Sequence, residues 1–165
     1  MIACHDLRKK MEEETLLAKG KRGEVFVTGR GTVIKRLRPG TAAKHAIDLE
    51  AHYLKKANEL GLGPRFIRAN ENEIEMEYIE GARIGDYLAK ATLKQREAVI
   101  RKIMKQLELL DKEKLFKKEL TNPYKHIIVR NHEPILIDWE RARHTEKPKN
   151  VAQFREYVSR HLLVQ

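Results

Sequence analysis

The sequence predicts an α+β fold, in which an antiparallel lobe of five strands is followed by a mainly helical lobe. Three observations predict it. Short β-forming runs separated by glycine turns fill the first part of the chain, a single strongly periodic helix interrupts them, and beyond Gly81 the apolar spacing turns helical. The 165 residues suit one domain, with a sheet lobe over about 1–80 and a helical lobe over about 81–165. With 41% apolar residues and only nine Gly and five Pro, the chain can bury a core and is not disordered in composition.

The elements follow in order. From His5 to Leu17 a charged stretch carrying Leu7, Met11 and Leu16 suits a short amphipathic helix or an irregular lead-in. Thr15 to Gly20, Glu24 to Thr28 and Thr32 to Leu37 then read as a three-stranded meander, with turns at Gly20-Lys21-Arg22-Gly23 and Gly29-Arg30-Gly31. After Pro39-Gly40, Thr41 is placed to cap a helix whose apolar residues Ala46, Leu49, Tyr53, Leu54, Ala57 and Leu60 recur at three and four; Gly61 and Gly63-Pro64 stop it. Phe66 to Ala69 and Ile74 to Ile79, joined by Asn70-Glu71-Asn72, complete the sheet.

Past Gly81, a short helix from Ile84 to Lys90 precedes a long one from Leu93 to about Leu115, with Val99, Ile103, Leu107 and Leu110 on one face. A polar loop over Lys117 to Lys125 holds Pro123. Ile127 to Val129 and Ile135 to Ile137 form two short strands around Asn131-His132, and Asn150 is placed to cap a last helix reaching about Val164.

Charge and cysteine usage narrow the classes. The single Cys4 can form neither an internal disulfide nor a multi-cysteine zinc site, which indicates a reducing compartment. No run approaches the length of a membrane span and Met1 to Cys4 is too short for a signal peptide, so a cytoplasmic protein without membrane attachment is expected. A formal charge of +10 and a pI near 9.7 favour a polyanionic partner, whether nucleic acid, an anionic membrane surface or a phosphorylated ligand. The 35% of charged residues matches proteins from hot environments, where ion-pair networks cost less.

Chemistry gathers in a few residues. Gly20-x-x-Gly23-x-Val25 lies between two strands, and Lys35 follows on the third, where a lysine beneath a glycine-rich hairpin can reach the α- and β-phosphates of a nucleotide. A solvated strand lysine is the plainer reading. Glu50, beside Leu49 and Leu54, could pair with Lys35, although a surface Glu in a basic helix looks the same in sequence. Met76-Glu77-Tyr78-Ile79-Glu80-Gly81 leaves the sheet as a strand edge that can present backbone groups to an adenine ring, and Asp138 ends the apolar Ile135-Leu136-Ile137 run.

In order and spacing, Gly20-x-x-Gly23-x-Val25, Val33-Ile34-Lys35, Glu50, Met76 to Gly81 and Ile137-Asp138-Trp139 resemble a protein-kinase-like fold. Within it the chain is similar to the small atypical kinases of archaea, the RIO kinases and the KEOPS-complex kinase. The resemblance covers about Leu17 to Ala142 and implies ATP and Mg²⁺, with Mn²⁺ as a substitute. It implies that Gly20, Gly23 and Val25 cover the phosphates, that Lys35 binds them and that Glu50 orients Lys35. Met76 matches the gatekeeper, the Glu77 carbonyl and Ile79 amide match the adenine contacts, and Asp138 matches the metal-binding Asp of the D-F-G motif.

The catalytic loop departs from the family pattern. Glu119 stands where the base Asp is expected and can still orient a substrate hydroxyl. His126 stands in the place of the second metal-binding Asn, as metal ligand, phosphate contact or loop filler, with Asn122 as the alternative. Trp139-Glu140 replaces Phe-Gly, and the chain beyond it leaves no room for a long activation segment, so a protein substrate needs another docking surface or a partner. Lys117 and Lys118 beside Glu119 suggest an anionic substrate nearby, or a solvated charge run. The implied activity is transfer of the γ-phosphate of ATP to a Ser or Thr hydroxyl; the alternative is a nucleotide-binding pseudokinase or ATPase acting as a basic RNA-associated or assembly module.

Overall fold

A computed structural model describes residues 13–20, 22–41 and 44–162. Cys4 and the lead-in as far as residue 12 lie outside the described residues, and the end of that lead-in is strand, not helix. Strands β1 (Glu14–Lys19), β2 (Gly23–Thr28) and β3 (Thr32–Leu37) form the expected meander, and β4 (Phe66–Ala69) and β5 (Glu73–Glu77) complete an antiparallel sheet of order β1-β2-β3-β5-β4. Gly31, at φ 73°, makes the turn between β2 and β3.

Gly23 is required for a different reason. A Cβ there would lie 2.4 Å from the carbonyl oxygen of Arg36, so β2 and β3 pack too closely for any side chain at that point. Gly23→Ala is expected to lower stability by about 2 kcal/mol in thermal unfolding, through overpacking against backbone that cannot rotate away. An unchanged melting temperature would mean that the strands are spaced more widely.

Helix α1 (Lys44–Glu59) crosses the sheet and buries Ile47, Ala51, Leu54 and Ala57. Gly61 at φ 72° ends it in a Schellman motif, with Leu62 N–H donating to the Ala57 carbonyl and Gly61 N–H to that of Asn58. The helix is described from Lys44, and the Thr41 hydroxyl donates to the Arg38 carbonyl; the expected cap at Thr41 involves residues 42 and 43, which lie outside the described residues.

The second lobe holds β6 (Ala82–Arg83), α2 (Ile84–Lys90), α3 (Leu93–Lys112), β7 (Leu115–Phe116), a 3₁₀ turn (Pro123–Lys125), β8 (Ile127–Arg130), β9 (Glu133–Leu136), β10 (Arg143–His144) and α4 (Asn150–Leu162). Thr92 and Gln95 form a capping box at the start of α3, which buries the expected Val99, Ile103, Leu107 and Leu110. Helix α3 stops before Leu115 because Lys114 turns left-handed at φ 57°, releasing Leu115–Phe116 to pair with β10. Asn131 and His132, both at positive φ, make the two-residue turn of the β8–β9 hairpin.

Asn150 does not cap α4. Asp111 of α3 caps it from across the lobe, accepting from the backbone N–H groups of Asn150 and Val151 at 3.0 and 3.2 Å. The fully buried Asn150 side chain instead accepts from Lys117 N–H and donates to Asp111 and the Leu115 carbonyl, tying the loop after β7 to α3. Leu54, Ile74 and Met76 of the sheet lobe share one contiguous apolar core with Ile103, Leu107, Trp139 and Phe154 of the helical lobe. Among the described residues no helix is long and apolar enough to cross a membrane.

Candidate active site

Lys35 lies in the middle of β3, opposite Val25 of β2, and its side chain reaches towards α1. There Nζ donates to Glu50 Oε2 at 2.6 Å and lies 3.4 Å from Oδ1 of Asp138, a residue 103 positions along the chain. Burial alone would lower the Lys35 pKa, but the Glu50 and Asp138 carboxylates overcome it and hold the ammonium above its ordinary value. Glu50, only 1% exposed, moves the other way, because burial outweighs Lys35 and raises its carboxyl.

Asp138 follows β9 and stands at φ 63°, a left-handed conformation costly for a residue with a Cβ. Lys117 holds it there. The sequence suggested a solvated charge or a contact for an anionic substrate at this position, but Lys117 is 2% exposed, with Nζ donating to the Asp138 carbonyl at 2.8 Å and lying over the Trp139 ring. The reason is the path of the chain: the catalytic loop passes beneath Asp138, so the lysine turns inward while Lys118 stays exposed. Although burial would raise the Asp138 carboxyl, Lys35, Lys117 and His126 hold it below its ordinary range.

Burial pushes Lys117 itself down to about 8. An unfolded lysine keeps its proton to about pH 10.4, so between about pH 8 and 10 the unfolded chain binds more protons and stability from this site rises with pH. In metal-free buffer the stability gap between wild type and Lys117→Met is therefore expected to shift in favour of wild type from pH 7.5 to 10, by up to about 3 kcal/mol. A gap that stays flat over that range would contradict the perturbed lysine.

Glu119, at φ 63°, points its carboxylate back into the site. It pairs with Arg141 through Oε1 and lies 3.3 Å from His126 Nε2 through Oε2. His126 is the residue brought against Asp138, its Nδ1 3.8 Å from Oδ2, whereas Asn122 is exposed and its backbone N–H donates to the Glu119 carbonyl. Burial, aided by the Lys117 charge, pushes the His126 pKa down, which favours the neutral imidazole.

The glycine turn carries Gly20, whose N–H donates to the Gly23 carbonyl at 2.8 Å. On the far side of the cleft Met76 is buried and paired across the sheet with Val33 and Phe66. The Glu77 carboxylate accepts from Arg130 of β8 and from Arg65 N–H, fixing the strand that links the lobes, and Ile79 is buried just beyond it.

Sequence reasoning gave Lys117 no buried structural role and assigned no role in the site to Arg141 or Glu140. Nothing in the sequence marks Lys117 as buried. Glu140 had a signal, since it stands where the resembled motif has glycine. It joins Glu50 and Asp138 in a group in which one carboxylate oxygen from each residue lies within 4.8 Å of the others. Three buried side-chain polar atoms among the described residues lack a hydrogen-bond partner, and two of them, Glu50 Oε1 and His126 Nδ1, belong to residues flanking Asp138. An unsatisfied buried carboxylate oxygen beside two further carboxylates suits a divalent cation, so the residues present fit one.

No family model and no curated protein matches the chain. Among solved structures the architecture is widespread, with 1060 matching chains. One is the streptomycin–ATP–APH(2″)-IIa ternary complex, similar at a TM-score of 0.67 and 14% identity over 94% of this chain and 79% of that one. At that identity the likeness concerns the fold: the chain has a protein-kinase-like fold, with a five-stranded antiparallel lobe and a reduced helical lobe.

Proposed function

We propose that the chain is an ATP-dependent phosphotransferase that moves the γ-phosphoryl group to a hydroxyl, which the resemblance reads as a Ser or Thr side chain of a protein. The observation that carries this is the Lys35 ammonium, held between Glu50 and Asp138 where strand β3 meets the helical lobe. Phosphoryl transfer needs positioned positive charge more than covalent chemistry, and this arrangement supplies it. The similar solved structure was obtained with ATP, which supports the same nucleotide here.

Gly20, Gly23 and Val25 cover the phosphates in this reading, and Lys35, oriented by Glu50, neutralises them. Met76 lines the base pocket, while the Glu77 carbonyl and Ile79 N–H meet the adenine edge. Asp138 and His126 would hold a divalent ion, Mg²⁺ or Mn²⁺, which when bound neutralises phosphate charge. Glu119, steadied by Arg141, accepts a hydrogen bond from the acceptor hydroxyl and orients it for attack.

The test is transfer of labelled phosphate from ATP, with Mg²⁺ or Mn²⁺, to the protein itself or to a mixed protein substrate. Incorporation on Ser or Thr is expected. Label appearing only on a small hydroxylated molecule would change the acceptor class, and neither transfer nor ATP hydrolysis with either ion would overturn the reading. An RNA partner rests on the +10 charge, and RNA binding that fails to weaken steeply with salt would remove it.

A further inference from the structure

We propose that Glu140 is a direct ligand of the divalent cation, so that this chain binds the ion through its own carboxylates before any nucleotide arrives. The inference rests on the reading of Asp138 above and extends it to a residue that the glycine of the resembled motif could not supply.

The geometry points to this in two ways. Carboxylate oxygens of Glu50, Asp138 and Glu140 lie within 4.8 Å of one another, close enough to share one ion. The cluster also carries an acceptor with nothing to accept from: Glu50 is 1% exposed, Lys35 takes its Oε2, and its Oε1 has no partner. Across Asp138 a second buried polar atom, His126 Nδ1, also lacks a hydrogen-bond partner, at 3.8 Å from Oδ2.

The charges near the cluster leave room for a cation. Lys35 contacts Glu50 and Asp138, and Arg22 of the glycine turn reaches Glu140 only at 3.8 Å with both side chains partly solvated. Lys35 and Arg22 contact the three carboxylates directly, Lys117 donates to the Asp138 carbonyl instead, and the weaker contact, Arg22 to Glu140, is easily exchanged for a metal. All three donors are hard oxygens, the set that Mg²⁺ and Mn²⁺ take. A site with a single Asp needs nucleotide phosphates to complete its shell, whereas three carboxylates can hold the ion beforehand.

Mn²⁺ is the probe, followed by loss of the free-ion electron paramagnetic resonance signal on titration into the full chain, with and without ATP. The wild type is expected to bind one Mn²⁺ without nucleotide, Glu140→Gln to weaken that binding by about tenfold or more, and Asp138→Asn to abolish it. Equal Mn²⁺ affinity for wild type and Glu140→Gln, with both folded by thermal melt, would overturn the proposal. Wild-type binding that appears only with ATP would also overturn it, while leaving the role of Asp138 intact. Absence of Mn²⁺ binding even with ATP would sink the underlying nucleotide–metal reading as well.

Discussion

Asp138→Asn is expected to lower ATP turnover about a thousandfold at saturating Mg²⁺ while leaving the melting temperature nearly unchanged. The exchange keeps the shape of the side chain and removes its charge. In the protein that carboxylate lies 3.4 Å from Lys35 Nζ and 3.8 Å from His126 Nδ1, the point on which the β3 lysine and the catalytic-loop histidine converge. Lys35 keeps its partner Glu50 in the variant, so the fold loses one partly exposed ion pair, while on the proposed reading a divalent ion loses a ligand. Steady-state turnover and a thermal melt on the same preparation check it. Retained turnover would remove Asp138 from the mechanism, and a large fall in melting temperature would make the loss a matter of folding.

The second large effect concerns stability. Trp139→Ala is expected to cost about 4 kcal/mol, lowering the melting temperature by about 10 °C in a chain of this size. Trp139 is fully buried, and its ring lies beneath the Lys117 ammonium while Nε1 donates to the Leu136 carbonyl at 3.2 Å. A Cβ on Gly63 would lie 3.0 Å from Nε1, so the indole also packs against the loop that leaves α1. Alanine opens a cavity between the lobes, strands a carbonyl and removes the ring from a buried cation. Trp139→Phe, which keeps most of the volume, is expected to lose less, and equal losses in the two variants would point away from cavity formation.

Both effects arise in the stretch from Leu136 to Glu140, where the legibility of the sequence also changes. The strand and helix periods placed β2 to β5, α2 and the buried face of α3 correctly, because those elements follow local spacing and turn chemistry. Asn150 was misplaced as a cap: its residue type suits one, but Asp111, Leu115 and Lys117 claim its side chain. The two-residue strands β6, β7 and β10 have no period at all and exist only because a distant segment pairs with them.

Taken by itself, the amino-acid sequence determined the order of the elements, the two-lobed α+β architecture and the motif residues Lys35, Glu50 and Asp138, since each depends on spacing along the chain. Tertiary structure alone decided which of them meet and in what company. It turned Lys117 inward onto the Asp138 carbonyl, put His126 rather than Asn122 against that carboxylate, and drew Glu140 into the acidic group. The physical reason is that burial and charge pairing are set by residues that lie far apart in the sequence and meet only in the folded chain. A lysine that would be solvated on an isolated loop is desolvated here by Trp139, a residue 22 positions away whose place is visible only once the lobes have closed on one core.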